Sequence, residues 1–217
     1  MPTAFITGAN RGIGHELVRQ YAQDGWRVHA ASRAPEACMN MQGDVVRHRL
    51  DVCDVKSVAL LPTVIEPDRL DLVINNAGIW LPDVESLATI DVESWDAYIR
   101  VHALGPLLVA QALMNSLASG GAKLVNISSR SASITLDDQL GYGYGASKAA
   151  LNAITKSLAV DFAPWRVIAL AITPGWVRTD MGGADANLSA EESVRGIREV
   201  IANATEQQSG QFFAYDG

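Results

Sequence analysis

Two tyrosines stand two residues apart in GYGYGASK (141–148), and a lysine follows four residues after the second. Residues four apart on a helix share a face. Tyr144 therefore has Lys148 beside it, whereas Tyr142 has Ala146 at that distance. A phenol titrates near about 10, too high to exchange protons readily at neutral pH, and a neighbouring ammonium favours its ionised form. The pair reads as a proton donor, Tyr144, tuned by Lys148. Further hydroxyls come from NISSRSAS (126–133). Ser128, Ser129 and Ser131 are each able to hold and polarise a substrate oxygen, or to satisfy turn backbone instead. Anion chemistry is offered by TGANRGIG (7–14), with Gly8, Gly12 and Gly14 between a strand and a helix. Glycines there let the backbone approach a pyrophosphate, and the first N–H groups of the helix point at the anion. The spacing G-x-x-x-G-x-G differs from the commoner G-x-G-x-x-G fingerprint.

These groups are carried by short apolar runs that alternate with longer stretches of helical period. Strands are expected at 3–7, 27–32, 45–52, 70–78, 122–129, 165–173 and 210–216. Helices are expected from near Gly12 to Gly25, from Asp54 as N-cap, and over 94–117, 145–163 and 189–204. Near-continuous apolar strands separated by helices imply a parallel sheet covered on both faces. The expected fold class is α/β: one doubly wound Rossmann domain over 1–217, with seven parallel strands and no linker or repeat. In such sheets ligands bind beyond the carboxyl ends of the strands, where all three groups lie.

Composition narrows the partners. A chain of 217 residues, 48% hydrophobic, suits one well-buried domain. The formal charge of -7 argues against a nucleic-acid footprint, which needs clustered Lys and Arg. Cys38 and Cys53 form no CxxC pair and match no His spacing, so they read as free thiols in a reducing compartment, and no metal site is expected. No apolar run approaches the roughly 18 residues of a membrane span, and the start lacks a basic, then apolar, leader. A cytoplasmic chain without a membrane partner is expected.

TGANRGIG, NNAG (75–78), the serine after the fifth strand and YGASK (144–148) together resemble the short-chain dehydrogenase/reductase family nearly end to end. TPGWVRTDMGG (173–183) and the SGQFFAYDG ending are most similar to the small carbonyl reductases and signalling proteins of the C-factor and Sniffer type. The resemblance implies Ser129 as the catalytic serine, fifteen residues before Tyr144, with Ser128 and Ser131 as alternatives, and Lys148 as a donor to the nicotinamide ribose. It implies a cofactor site of Gly8, Asn10, Arg11, Gly12, Ile13 and Gly14, with Ser32, Arg33, Asp51 and Val52 on the adenosine side. Asn75, Ala77 and Gly78 also line that side, Asn75 being readable as a turn-former, and Tyr144, Lys148, Ile172, Pro174, Gly175, Val177 and Thr179 complete the set. Where family members using NAD carry an acid after the second strand, this chain has Ser32 and Arg33, with Arg11 nearby. Two guanidiniums suit a 2'-phosphate, so NADP(H) is the expected cofactor.

The chain departs from the family pattern at His102, where an asparagine commonly organises a proton-relay water. Pro106 follows four residues later and has no N–H for the His102 carbonyl. Two readings stand: the carbonyl keeps the relay while the imidazole tunes it, or His102 is a buried, hydrogen-bonded histidine without proton duty. His15, His29 and His48 read as structural. The substrate loop 175–190 is short and, with Gly182 and Gly183, pliable, which leaves the site open on one side. Trp80, Ile134, Tyr142, Trp176 and Met181 are candidates for its apolar wall. A homodimer or homotetramer through the helices at 94–117 and 145–163 is expected, with Leu107, Leu108, Leu113, Leu151 and Leu158 either in the seam or facing the sheet. The expected function is NADPH-dependent reduction of an aldehyde or ketone to an alcohol. The alternative is a signalling or regulatory protein of the C-factor type that binds cofactor with weak or no turnover.

Overall fold

Successive residues of the strands enter opposite apolar layers, which only a sheet covered on both faces can bury. In β1 (Thr3–Thr7) Ala4 and Ile6 join one layer and Phe5 the other. In β4 (Leu72–Asn75) Leu72 and Ile74 oppose Val73, and in β6 (Ile168–Thr173) Leu170 opposes Ala169. The computed structural model describes residues 1–39, 41–65, 69–81, 87–117, 120–135 and 141–217. With β2 (Arg27–Ser32), β3 (Val45–Arg49), β5 (Lys123–Ile127) and β7 (Phe212–Ala214), the strands form one seven-stranded parallel sheet in the order β3-β2-β1-β4-β5-β6-β7. This is the doubly wound fold expected, single and Rossmann-like.

Helices α1 (Gly12–Gln23) and α7 (Ala190–Asn203) cover one face through Leu17, Val18, Tyr21, Val194, Ile197 and Ile201. The short helices α2 (Val55–Ala59) and α3 (Leu61–Ile65) cover the other, followed by α4 (Val92–Ile99), α5 (Gly105–Leu113) and α6 (Tyr142–Phe162). Val109, Leu113, Leu158 and Phe162 supply its core. The chain winds from β1 to β3 in one direction and from β4 to β7 in the other, so the switch point lies between β1 and β4. A crevice opens at the carboxyl ends of those strands.

Two elements differ from expectation. The helix expected over 94–117 is broken by a π turn, Arg100–Leu104, in which the Gly105 N–H closes on the Arg100 carbonyl. Pro106 has no N–H to give the His102 carbonyl, so an unbroken α-helical ladder cannot pass this point. The helix expected to start at 145 starts at Tyr142, after Gly141 at φ 83°. Tyr144 thus lies in its first turn. Strands three to seven are also shorter than the apolar runs that foretold them, because the residues at their ends leave the ladder for site loops or helix connections.

Candidate active site

The crevice holds a cleft of about 440 Å³. Its floor is the turn after β1, where Gly8, Asn10, Arg11, Gly12, Ile13 and Gly14 all line it. Gly14 is required by space: a Cβ there would lie 2.2 Å from the Gly8 carbonyl oxygen and 2.4 Å from Asn76 Nδ2. Helix α1 begins at Gly12 with no side-chain cap from Arg11, so its first N–H groups keep their capacity to bind an anion. At the other wall stand Ser32 at the end of β2 and Arg33 after it, Asp51 and Val52 after β3, and Ala77 and Gly78 after β4. Ser32 Oγ is buried, lines the cleft and has no hydrogen-bond partner among the described residues. A buried hydroxyl left so costs about 1–3 kcal/mol, which a ligand oxygen recovers. The uncapped helix, the glycine cradle and this orphan hydroxyl fit a dinucleotide.

At the opposite end Tyr144 and Lys148 line the cleft from α6, with Pro174 and Thr179 beyond β6. The Lys148 Nζ lies 5.9 Å from the centre of the Tyr144 ring and donates to the Ile127 carbonyl at 2.8 Å. Burial pushes the Tyr144 phenol above its ordinary value, and the nearby Ser129 hydroxyl pulls it back. Burial also lowers Lys148 to about 7. Desolvation is the largest cause for both groups. The three serines are engaged differently. Ser128 lines the cleft and donates to Asn152 Oδ1 at 2.7 Å, while Ser129 Oγ accepts from the Ser131 N–H at 3.2 Å and donates to Ser131 Oγ at 3.3 Å.

His102 is 1% exposed. Its Nε2 accepts from the Ile79 N–H at 3.0 Å, and its Nδ1 meets Ser147 Oγ at 2.9 Å. Ser147 gives its own proton to the Tyr144 carbonyl at 2.7 Å, so Nδ1 is the protonated nitrogen of a neutral ring. Burial, and then the Lys148 charge, lower His102 to about 2. Its ring stands edge-on to Tyr144, with centroids 5.3 Å apart at 88°. Both nitrogens are engaged in holding the β4 exit against α6.

A family profile described as short chain dehydrogenase matches residues 2–189. The chain belongs to the short-chain dehydrogenase family. Among curated members, the C-signal protein of Myxococcus xanthus is 39% identical over 153 residues, 68% of this chain and 90% of that protein. An NADPH-bound carbonyl reductase from chicken fatty liver superposes with a TM-score of 0.89 at 28% identity, covering 100% of this chain and 97% of its own. Carbonyl reductase Sniffer of D. melanogaster gives a TM-score of 0.87 at 30% identity, covering 100% and 98%.

Within this short-chain dehydrogenase frame, several expected site residues lie elsewhere. Asn75 is buried beneath the cleft, where its Nδ2 donates to Asn126 Oδ1 at 2.9 Å and to the Pro106 carbonyl at 3.3 Å. Its neighbour Asn76 lines the cleft and ties β4 to the glycine turn through the Thr7 and Gly8 carbonyls. Ile172 belongs to the core on the α1 and α7 side. Gly175 and Val177 do not line the cleft: a Cβ at Gly175 would meet Leu188 at 2.6 Å, and Val177 is buried in a bridge to Leu188. Ser129 also lies outside the lining.

Loop 175–190 is tied to itself rather than pliable. Arg178 N–H donates to the Leu188 carbonyl at 2.8 Å and Trp176 Nε1 to the Gly182 carbonyl at 2.8 Å. A Cβ at Gly182 would lie 2.0 Å from the Val177 carbonyl oxygen, so this glycine serves close approach. Of the expected apolar wall, Met181 lines the cleft and Trp80 stands edge-on to Tyr144 at 5.1 Å, whereas Ile134 is 98% exposed. Tyr98 was not foreseen. It is buried, edge-on to Tyr144, and its hydroxyl bonds both the N–H and the carbonyl of Leu81, next to Trp80.

Proposed function

We propose that the chain is an NADP(H)-dependent carbonyl reductase. The observation that carries this reading is that Tyr144 and the buried Lys148, neighbours on one face of α6, line the end of a cleft floored by the glycine turn. Bound in that cleft, NADPH supplies the hydride that reduces a substrate carbonyl. The turn at Gly8–Gly14 and the α1 N-terminus hold phosphate oxygens, and Arg11, Arg33 and Ser32 favour a cofactor with a 2'-phosphate. Asp51, Val52, Ala77 and Gly78 flank the adenosine side. Ser129 holds the substrate oxygen, Tyr144 donates a proton to it, and Lys148 stands beneath as a proton reserve that exchanges near neutrality. His102 fixes this constellation without itself titrating at neutral pH.

The reading extends to setting and assembly. Two free thiols suit a reducing cytoplasm, and no described helix is long and apolar enough to cross a membrane. Leu113 and Leu158 pack into the core beside the sheet and Leu151 is buried, so the proposed homodimer or homotetramer seam falls to exposed Leu104, Leu107, Met114 and Val160. Turnover is tested by NADPH oxidation with a panel of aldehydes, quinones and diketones. Activity well above that of Tyr144→Phe is expected. Tight NADPH binding with no turnover beyond that variant would instead favour a regulatory protein.

A further inference from the structure

An ion pair crosses the mouth of the nucleotide cleft. Arg11 Nη1 donates to Asp180 Oδ2 at 3.0 Å, and both residues line the cleft. Arg11 precedes Gly12 at the start of α1, and Asp180 follows β6, so the pair bridges the turns after β1 and β6. Thr179 closes on the same turn: a Cβ on Gly12 would lie 3.2 Å from Thr179 Cγ2. Thr179 is itself fixed, accepting from the Gly182 N–H at Oγ1 (3.2 Å) and from the Gly183 N–H at its carbonyl (2.9 Å). Asp180 is thus delivered to Arg11 by an ordered turn, not by a wandering side chain.

Arg11 is also the guanidinium nearest in sequence to the phosphate-binding glycines. A carboxylate of the protein and a phosphate of the ligand therefore contend for one cation. The two differ in strength. The Arg11 and Asp180 side chains are 60% and 73% exposed, and an exposed pair of this kind holds weakly. A phosphate offers more charge and a bidentate geometry, so it displaces the carboxylate at a modest cost. A cofactor with an unmodified ribose gains nothing from the exchange and leaves the pair intact.

Resting on the NADP(H) reading above, we propose that Asp180 is a cofactor-discriminating residue: it is the internal competitor for Arg11, and it sets how far NADP(H) is preferred over NAD(H). Any repulsion between Asp180 and a pyrophosphate falls on both cofactors alike and cancels in their ratio. Competition for Arg11 falls only on the phosphorylated one. Removing the carboxylate raises the preference, and removing Arg11 abolishes the effect.

The test is calorimetric titration of the full chain with NADP+ and NAD+, using the wild type, Asp180→Asn, Arg11→Ala and the double variant. Asp180→Asn is expected to raise the NADP+ over NAD+ affinity ratio by about two- to fivefold, the range an exposed ion pair allows. In the Arg11→Ala background the same substitution is expected to leave that ratio unchanged. An unchanged or lowered ratio in Asp180→Asn, which includes equal tightening of both cofactors, overturns the proposal, as does a rise that persists without Arg11. Wild-type protein that binds NAD+ as tightly as NADP+ removes the NADP(H) reading itself and the proposal with it.

Discussion

At the scale of single residues, adjacent serines face different duties. Ser128 is spent on Asn152, and Ser129 is the serine proposed to hold the substrate oxygen beside Tyr144. Ser129→Ala is expected to lower kcat about 100- to 1000-fold, the range seen when a donor to a developing oxyanion is removed. Ser128→Ala should act mainly on the denaturation midpoint, since it strands Asn152 rather than the substrate. Steady-state kinetics and urea titration on both variants separate the two. His102 is argued the same way. His102→Leu removes the acceptor of the Ile79 N–H and the donor to Ser147, and an unsatisfied buried group costs about 1–3 kcal/mol. The variant should lose stability in that range, and turnover should fall because the Tyr144 ring loses its neighbour. The pH profile should keep its shape, since His102 is neutral throughout. Sequence alone singles out Tyr144, Lys148 and the serine run, because helical spacing and hydroxyl chemistry are local. It does not separate Asn75 from Asn76: at a strand exit one residue faces the core and the next the cleft, and the residue where the ladder ends decides which.

Elements place these side chains through constraints that are themselves chemical. Pro106 breaks the helical ladder, and the π turn before it advances the helix by an extra residue, carrying His102 to Ser147 and Ile79. Pro106→Ala restores an N–H to the His102 carbonyl and allows a regular helix there. Rotation of His102 away from its partners is then expected, with a loss of turnover of up to about 100-fold, because displacements near 1 Å in a positioned site cost that much. Circular dichroism should show helix content kept or raised. A turnover equal to wild type would mean that the π turn positions nothing. The proline was legible, and so was the missing N–H, but whether the chain answers with a kink, a break or a wider turn is settled by what the freed residues meet across 45 positions of sequence. The strand and helix order was legible because both faces of the sheet demand apolar runs. Element ends were less so, since an apolar pattern does not show where the last ladder hydrogen bond falls. The ties within 175–190 escaped for the same reason: Gly182 reads as a flexible residue until the Val177 carbonyl is seen against it.

For the whole molecule, burial of a titrating site makes stability depend on pH in a definite sense. Lys148 is lowered to about 7 from an ordinary 10.5. Between those values the unfolded chain binds a proton that the fold does not, so stability rises with pH across that window. His48, lowered to about 4 by burial and then by the neighbouring His29, and His102, lowered to about 2, act with the same sign below their ordinary 6.5. Above about pH 9 the sign reverses. Cys38 and Cys53 are raised from 9.0 by burial, and Tyr144 and Tyr21, the latter pushed up to about 12, are raised from 10.0, so the fold keeps protons that the unfolded chain has lost. Without added nucleotide, the urea midpoint is therefore expected to climb from pH 5 to a maximum near about pH 9 and to fall beyond it. Lys148→Met isolates the main contributor, because it keeps the length of the side chain and removes the charge that burial opposes. Its midpoint should exceed that of the wild type at pH 7 and lose the rise between about pH 7 and 9. A wild-type maximum at or below pH 7 would mean that the fold keeps Lys148 charged, and with it an electrostatic pull on Tyr144 stronger than the buried geometry supplies.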